Sequence, residues 1–298
     1  MPARAATPVP FDRPRLLGTR RAWLVGILLA GLWAALGLGV APSDLVPTGS
    51  GQTLFKDFFA AALSPALTYE EAVPEGTLPL VWKILDSMRR TLIFAATGLS
   101  LALLIGLPLG LLASTVWWHR PQRGGHSRRG ALSRLVPFGL FLGLRTGIAA
   151  LRSVHELLWA VLLLAAMGLN SFSAVCAIAL PFAGTLAKVF SEILDETPRD
   201  TADVLRAGGA SEWQIFVFGF LPRALPDMAA YTFYRFECAV RSSAVLGFFG
   251  FPTLGYYIKI AFDNQHYHEV WAYLWALIAL VFVLEATSGA LRRRVVAR

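Results

Sequence analysis

Three charged residues, Arg235, Glu237 and Arg241, lie close together within a largely apolar stretch of the sequence at residues 224–249. A charge inside a membrane is costly, so such residues usually have a partner or a function. Glu237 and Arg241 are four residues apart and can pair on one helix face, whereas Arg235 projects elsewhere. The fork of N–H donors in a guanidinium matches the oxygens of a phosphate-like anion. Two interpretations stay open: the charges line a pathway for an anion, or they form a structural ion network with Glu156 or with a second copy of the chain.

A strongly polar segment, residues 195–222, separates two apolar stretches of the chain. Six of the twelve residues from Asp195 to Arg206 are charged, and an aromatic-rich stretch follows them. Each unpaired polar group in lipid costs several kcal/mol, so this segment is predicted to leave the membrane. It then either docks into a partner in water or lies on the bilayer surface as an interfacial helix.

Local signals within the polar segment predict two short helices joined by a glycine turn. In chain order, the signals are a helix start at Thr197 and Pro198, a stop at Gly208 and Gly209, a capping box at Ser211 and Gln214, and a second stop at Leu221 and Pro222. Glycine ends helices because it accepts a positive φ, and a capping box satisfies the first N–H groups of a helix. The second helix, residues 212–220, is predicted to expose an aromatic face made by Trp213, Phe216 and Phe220.

The composition is that of a membrane protein. Hydrophobic residues make up 56% of the chain, charged residues make up 15%, and the mean hydropathy is +0.57. Soluble domains contain about 45–50% apolar and about 25% charged residues. The formal net charge of +8 comes from basic residues in short runs that flank the apolar stretches. Such runs set membrane topology, so membrane lipid and not nucleic acid is the predicted surrounding.

Hydropathy predicts an all-α membrane protein with about six transmembrane helices, because runs of about 17–25 apolar residues can cross a bilayer. The predicted spans cover residues 22–40, 91–117, 156–169, 172–193, 224–249 and 270–289. The third span is the weakest. The amphipathic stretch before it, residues 138–151, is either part of that span or an elbow helix at the interface. Another amphipathic helix is predicted at residues 80–88, between the first two spans.

The distribution of lysine and arginine predicts the orientation, since cytoplasmic loops carry an excess of both. With both termini in the cytoplasm, seventeen of these residues lie in cytoplasmic segments and five lie outside or at the outer interface. This orientation places residues 195–222 in the cytoplasm. The predicted organisation is a cytoplasmic tail (1–21), a first span with an external segment (22–88), a transmembrane domain (89–290) and a basic cytoplasmic tail (291–298).

The sequence contains no constellation that would make the chain an enzyme by itself. It has no GxSxG nucleophile motif, no Walker A motif, no nucleotide-binding fingerprint and no HExxH metal motif. His266 and His268 belong to an HYHE sequence that is predicted to lie at the aqueous surface. Cys176 and Cys238 both lie in apolar stretches, so a disulfide is not predicted. We therefore expect no catalytic residue, no metal site and no cofactor in this chain.

Part of the polar segment resembles the cytoplasmic EAA loop of ABC-importer permeases. The matching residues are the acid Asp203, followed by Val204 and Leu205, then Gly209-Ala210-Ser211 at the turn and Leu221-Pro222 at the end. The sequence departs from the family pattern in three ways: Asp replaces Glu, Val-Leu replaces Ala-Ala, and Gly219 replaces an aliphatic residue. In that family the loop is a coupling helix that sits in a groove of the ATPase subunit. The resemblance implies that Gly209 forms the turn and that Asp203 and Arg206 make polar contacts.

Two further stretches narrow the resemblance. Residues 231–247, YTFYRFECAVRSSAVLG, resemble the fifth-span signature of phosphonate ABC-transporter permeases, and residues 152–159, RSVHELLW, resemble the segment before the third span in that group. The resemblance, which covers residues 91–289, implies a type I permease of a bacterial inner membrane that carries a phosphonate or a related oxyanion such as phosphite or phosphate. It also implies a second permease copy, two ATPase subunits that bind ATP and Mg, and one external solute-binding protein.

Two other functions fit parts of the sequence. An importer permease for methionine or another amino acid shares the loop but should lack the YRFE sequence. An ion-coupled secondary transporter could use Arg235 and Glu237 as its ion site. Its halves should show repeat-related broken helices, which the sequence lacks. Co-purification with an ATP-hydrolysing subunit separates an ABC permease from a secondary transporter.

Overall fold

The computed structural model of the protein describes residues 19–40, 49–118 and 131–296, and every regular element in these ranges is helical. The elements are α1 (Thr19–Gly37), α2 (Ser50–Ala61), α3 (Leu80–Ala113), α4 (Ala131–Ser153), α5 (Glu156–Met167), α6 (Ser171–Glu196), α7 (Asp200–Ala207), α8 (Glu212–Ile215), a π-helical turn (Phe216–Phe220), α9 (Leu221–Val245), a 3-10 turn (Leu246–Phe249), α10 (Leu254–Asp263) and α11 (Tyr267–Val296). Most of the predicted N-terminal tail, residues 1–18, and residues 297–298 of the basic tail lie outside the described residues.

The chain forms two compact units, residues 1–59 and residues 60–298. The first unit holds α1, which coincides with the first predicted span and has an apolar part at Arg21–Gly37. Its large apolar side chains are exposed, among them Trp23, Leu28 and Trp33. A helix that is apolar on all sides fits a lipid surrounding.

Three helices of the second unit are long and apolar enough to cross a membrane: α3, α6 and α11 as far as Ala290. Two bent pairs raise the number of possible spans to five. One pair is α4 with α5, bent by 90°, and the other is the helical stretch Glu212–Phe249 with α10, bent by 45°. Together with the shorter α1, these elements occupy the positions of the six predicted spans.

The third predicted span consists of two helices that meet at a right angle. α4 ends at Ser153, and α5 begins at Glu156 after a bend of 90°. His155 caps α5, because its side chain accepts a hydrogen bond from the N–H group of Leu157. α5 has 12 residues, and at about 1.5 Å per residue it cannot cross a hydrocarbon core of about 30 Å alone. The structure therefore supports an elbow at this position.

Helix α3 extends further in the N-terminal direction than its predicted span. The predicted amphipathic helix at residues 80–88 and the predicted span at residues 91–117 form one continuous helix of 34 residues. This helix ends at Ala113, and Ser114 after it is extended, with ψ 140°. The next residues, up to Trp118, form a turn. We call residues 114–118 the α3 turn.

Small residues allow the backbones of α3 and α6 to approach closely. A Cβ atom added at Gly106 would lie 2.8 Å from the carbonyl oxygen of Ala183, and one at Gly110 would lie 2.9 Å from that of Ala187. Helix α4 meets α6 in the same way, since a Cβ at Gly184 would lie 2.8 Å from the Cβ of Leu151. Such close approach is how membrane helices associate when lipid removes the hydrophobic driving force. The three helices thus form a tightly packed group.

The junction between α9 and α10 is packed even more closely. A Cβ atom at Gly255 would lie 2.0 Å from the carbonyl oxygen of Ala244, and one at Gly247 would lie 2.0 Å from the amide nitrogen of Tyr256. The chain turns between the two helices at Gly250, which has φ +98°. Only glycine fits the two contact positions.

The segment that follows α2 is bound to the N-terminal end of α11. The N–H group of Glu70 donates to the carboxylate of Glu269, and the N–H group of Glu269 donates to the carboxylate of Glu70, both at 2.9 Å. The N–H group of Ala66 donates to the carbonyl oxygen of His268 at 3.0 Å. His268 is exposed, as predicted, whereas the side chain of His266 is 22% exposed and lies between Glu71 and Glu269.

Candidate functional site

The polar segment folds into two short helices, α7 and α8, joined by a tight turn. Gly209 has φ +83°, and the N–H group of Ala210 donates to the carbonyl oxygen of Leu205 at 3.1 Å. The predicted glycine turn is therefore confirmed. The first helix begins slightly later than predicted: the sequence predicts Pro198 at its first helical position, whereas α7 begins at Asp200. Thr197 instead belongs to the end of α6, where its hydroxyl donates to the carbonyl oxygen of Ile193 at 2.8 Å.

The predicted capping box is present at the start of α8. The hydroxyl of Ser211 accepts a hydrogen bond from the N–H group of Gln214 at 3.3 Å, and the side-chain oxygen of Gln214 accepts one from the N–H group of Ser211 at 2.8 Å. These two bonds satisfy donors that the first turn of a helix would leave unpaired. The orientation of α8 is thus fixed by residues next to the glycine turn.

The predicted stop at Leu221-Pro222 is wrong, because the chain stays helical there. The π-helical turn at Phe216–Phe220 follows α8 directly, and Leu221 continues it with φ −58° and ψ −46°. Pro222 lies in the first turn of α9, where a missing N–H group is tolerated. The polar segment is therefore joined rigidly to the span that follows it.

Two of the three aromatic residues predicted to be exposed are buried. Trp213 is 64% exposed, whereas Phe216 and Phe220 are 3% and 4% exposed. Phe216 is covered by Trp117 of the α3 turn, whose ring centroid is 4.5 Å away. Phe218, within the π-helical turn, is instead 68% exposed. Val204, at 73% exposure, Trp213 and Phe218 are the large apolar side chains that this segment exposes, and together we call them the exposed apolar surface.

Arg206 links the two short helices through ion pairs. Its guanidinium lies 3.0 Å from a carboxylate oxygen of Asp203 on α7 and 3.3 Å from one of Glu212 on α8. More than half of the Asp203 side chain faces solvent. Each of these exposed ion pairs therefore contributes about 0–1 kcal/mol to stability. Asp203 and Arg206, predicted to make polar contacts outside the chain, thus contact each other within it.

Asp195 is a site residue that the sequence analysis did not single out. One of its carboxylate oxygens accepts hydrogen bonds from the hydroxyl of Ser114 at 2.7 Å, from the N–H group of Thr115 at 2.7 Å and from the hydroxyl of Thr115 at 2.9 Å. The other oxygen lies 3.3 Å from the guanidinium of Arg145 on α4. The donors are far from Asp195 in sequence, so no local pattern reveals the cluster.

The predicted pair between Glu237 and Arg241 is not formed among the described residues. Arg241 is exposed, and its guanidinium donates instead to the sulfur of Cys238 at 3.6 Å. Glu156 accepts a hydrogen bond from the hydroxyl of Ser242 at 2.7 Å. Its partner is therefore a neutral hydroxyl and not the arginine that an ion network would require. Within the described part of the chain, no ion pair joins Glu156, Glu237 and Arg241.

Arg235 is placed differently from the other two charges. Its guanidinium carbon lies 4.5 Å from the ring centroid of Phe182 on α6, a cation–π contact. Its Nε atom is buried and has no hydrogen-bond partner among the described residues. Arg235 is therefore held by an aromatic face and keeps unused donor capacity.

The outward side of α9 carries polar residues at helical spacing. Arg223, Asp227, Tyr234 and Arg241 are exposed, and their spacings of four, seven and seven residues place them on one helix face. The half-buried Glu237 lies on the same face. We call these five residues the α9 polar stripe. Lipid cannot solvate such a stripe, so it needs water or a protein partner.

Residues 133–298 match the protein family described as binding-protein-dependent transport system inner membrane component. The phosphite transport system permease protein PtxC of Stutzerimonas stutzeri is 32% identical over 164 residues, which is 55% of this chain and 60% of that protein. The phosphate-import permease protein PhnE of Mycolicibacterium smegmatis is 29% identical over 157 residues, which is 53% of this chain and 30% of that protein. The chain thus spans less than two thirds of the length of both relatives.

Solved structures show the same fold. A chain of the inward-facing MetNI methionine ABC transporter is similar with a TM-score of 0.60 and 22% identity, over 74% of this chain and 99% of that chain. A chain of an amino acid ABC transporter with histidines is similar with a TM-score of 0.58 and 15% identity, over 73% of this chain and 99% of that chain. The architecture is that of a type I ABC-importer permease.

Proposed function

Because this chain belongs to the family of binding-protein-dependent transport system inner membrane components, we propose that it is the membrane-spanning permease subunit of an ATP-driven importer for a phosphorus oxyanion. The observation that carries the proposal is the helix–turn–helix of residues 195–222 with its exposed apolar surface. Apolar side chains exposed on a loop between two spans favour docking into a partner protein.

The partner proposed for this surface is a separate ATPase subunit in the cytoplasm. The chain itself is non-catalytic, and ATP and Mg bind to that subunit. The loop residues that take part are Asp203, Arg206, Gly209, Ala210, Ser211, Leu221 and Pro222. In this proposal Gly209 forms the turn, and the ion pairs of Arg206 hold α7 and α8 in the orientation that the ATPase meets.

The proposed cargo is a phosphonate or a related anion such as phosphite or phosphate. The relatives named as phosphite and phosphate permeases support this class. Arg235 and Arg241 supply guanidinium groups whose geometry suits a tetrahedral oxyanion. Contact with the anion has to be weak and transient, since tight binding in the pathway would stop transport.

The assembly proposed here contains two permease copies, two ATPase subunits and one external solute-binding protein in a bacterial inner membrane. The α9 polar stripe supports a second copy, because it lies exposed on a spanning helix and Glu237 and Arg241 do not pair within the chain. A second copy, or a water-filled pathway between two copies, would remove the cost of these charges in lipid.

Replacing Gly209 by valine tests the role of the loop. With φ +83°, this position strains a β-branched residue, whereas asparagine tolerates the left-handed region and serves as the matched control. No atom lies within 4 Å of the added Cβ, so the effect of backbone strain is not mixed with that of a steric clash. A strain of about 1–2 kcal/mol corresponds to a change of about 5–30-fold in the population of the native turn. We expect co-purified ATPase and anion uptake to fall by that factor in Gly209→Val, while membrane insertion persists. Normal uptake in the valine variant would contradict the proposal.

The cargo is tested on the cognate external binding protein. Isothermal calorimetry with methylphosphonate, phosphite, phosphate and methionine compares the candidate ligands directly. We expect binding of at least one phosphorus oxyanion and none of methionine. Binding of methionine alone would overturn the proposed cargo and leave the role of the loop untouched.

A further inference from the structure

The α3 turn contacts the helix–turn–helix through aromatic rings. The ring of Trp117 lies 4.5 Å from that of Phe216 and 5.9 Å from that of Trp213, measured between centroids. Trp213 and Phe216 are themselves stacked at 6.1 Å. Trp213 is largely exposed and Phe216 is buried, so the cluster runs from the exposed apolar surface into the protein interior. Trp117 joins this cluster to the C-terminal end of α3.

The same turn is bound to the start of the polar segment by Asp195. Three of the four donors to the Asp195 carboxylate belong to Ser114 and Thr115, at 2.7–2.9 Å. Ser114 is fully buried, and its hydroxyl oxygen also accepts the N–H group of Val116 at 3.3 Å. Hydrogen bonds to a charged acceptor are stronger than neutral ones. The turn is therefore held by Asp195 at the start of the polar segment and by Trp213 and Phe216 in its second half.

Helix α4 meets the α3 turn at a third place. The ring of Trp118 lies 5.9 Å from that of Phe141, and the guanidinium of Arg145 lies 4.8 Å from the same ring. Arg145 also reaches the second oxygen of Asp195 at 3.3 Å. The turn thus contacts α4, α6 and the helix–turn–helix at once.

The helices behind the turn are packed too closely to absorb a displacement. Gly106 and Gly110 bring the backbones of α3 and α6 together, and Gly184 does the same for α6 and α4. Close-packed interiors have low compressibility and transmit strain. A movement of Trp117 would therefore shift α3, α4 and α6 as a group.

We propose that the α3 turn is the joint through which movement of the exposed apolar surface reaches the spanning helices, with Trp117 and Asp195 as its positioning residues. This proposal rests on the proposed function, since the ATPase supplies the movement. Trp117 transmits it through the rings of Trp213 and Phe216. The contacts of Asp195 hold the α3 turn against α6 and α4 while the turn moves.

The experiment uses the whole transporter, with ATPase subunits and the cognate binding protein, in vesicles of bacterial lipid. It compares Trp117→Ala with Trp117→Phe, which retains an aromatic ring, and with Trp82→Ala, which removes an exposed tryptophan at the other end of α3. Two quantities are measured: ATPase subunits retained per permease, and methylphosphonate transported per ATP hydrolysed. The second quantity separates a joint from a merely structural residue.

We expect Trp117→Ala to retain the ATPase within about twofold and to lower transport per ATP about tenfold, the loss that removal of two aromatic contacts predicts. Trp117→Phe should recover most of it, and Trp82→Ala should match the wild type. Unchanged transport per ATP in Trp117→Ala would overturn the proposal. If instead the wild-type chain retains no ATPase subunit, the result contradicts the proposed function itself and not only the role of the α3 turn.

Asp195 provides a second test that does not depend on the stability of Trp117→Ala. Asp195→Ala removes every acceptor, whereas Asp195→Asn keeps an oxygen for Ser114 and Thr115 and loses the charge toward Arg145. Glu196→Gln neutralises the exposed neighbouring carboxylate and serves as the control. We expect transport per ATP to fall about tenfold in Asp195→Ala, less in Asp195→Asn, and not at all in Glu196→Gln. Equal values in all three variants would overturn the role of Asp195 in the joint.

Discussion

Replacing Gly255 by alanine is expected to prevent the second unit from folding normally. The added Cβ would lie 2.0 Å from the carbonyl oxygen of Ala244 and 2.9 Å from its carbonyl carbon. Both atoms belong to the backbone at the end of α9, so no side chain can rotate away. Overpacking typically costs about 1–3 kcal/mol and occasionally more, and a backbone clash at this distance belongs at the upper end or beyond. Purified in detergent, the variant should show a lower yield of monodisperse protein and a lower thermal unfolding midpoint.

Gly139→Ala is the matched control for this prediction. Gly139 is also a helical glycine, in α4, and no atom lies within 4 Å of a Cβ added there. Alanine has the higher helix propensity, so this variant should unfold at the wild-type temperature or slightly above it. An unfolding midpoint for Gly255→Ala equal to that of Gly139→Ala would show that α9 and α10 are not in contact as described.

The second large effect is expected at Thr91, which joins α3 to α10. Thr91 is fully buried; its hydroxyl donates to the carbonyl oxygen of Ser87 at 2.7 Å and accepts the N–H group of Leu254 at 3.0 Å. Thr91→Val keeps the shape of the side chain and removes the acceptor. The N–H group of the buried Leu254 is then unpaired, which costs about 1–3 kcal/mol. The thermal unfolding midpoint should fall, and the Leu254 amide should exchange hydrogen faster.

Thr97→Val isolates the part of this effect that comes from contact between helices. Thr97 makes the same kind of bond within α3, from its hydroxyl to the carbonyl oxygen of Ile93 at 2.7 Å, but it is exposed. Substitution there should leave the unfolding midpoint close to that of the wild type. If Thr91→Val and Thr97→Val lowered the midpoint equally, the bond to Leu254 would have no part in stability.

The sequence predicts the parts of the loop that depend on neighbouring residues. Gly209 has the positive φ expected of a helix C-terminus, and Ser211 and Gln214 form the expected capping box. The glycine turn and the capping box each depend on residues three or four positions apart, so their spacing is visible in the sequence. The apolar runs likewise locate the spans, because length and hydropathy alone decide what can cross a bilayer.

Predictions failed where a distant contact or an unusual winding decides the outcome. Phe216 is buried because Trp117, about a hundred residues earlier in the chain, covers it. Leu221 and Pro222 do not end the helix, because a π-helical turn precedes them and the proline falls in the first turn of α9. Neither the partner nor the winding leaves a local pattern in the sequence.

The charged residues of α5 and α9 show the same limit of prediction from local sequence patterns. A spacing of four residues permits a pair between Glu237 and Arg241, yet Arg241 bonds to Cys238, and the carboxylate of Glu156 bonds to Ser242. Spacing tells which side chains can meet on one helix, but the neighbouring helices decide which of them do. Asp195 could not be singled out for this reason, since its importance lies in donors from the α3 turn and α4.

The paired carboxylates of Glu70 and Glu269 make the segment after α2 a reporter for the last helix. Each carboxylate accepts the main-chain N–H group of the other residue, so the loop cannot lift away unless both bonds break together. Thr68, two residues before this clamp, is exposed. A fluorophore attached at Thr68 should therefore report displacements of the N-terminal end of α11, since the segment that carries it is hydrogen-bonded to that end.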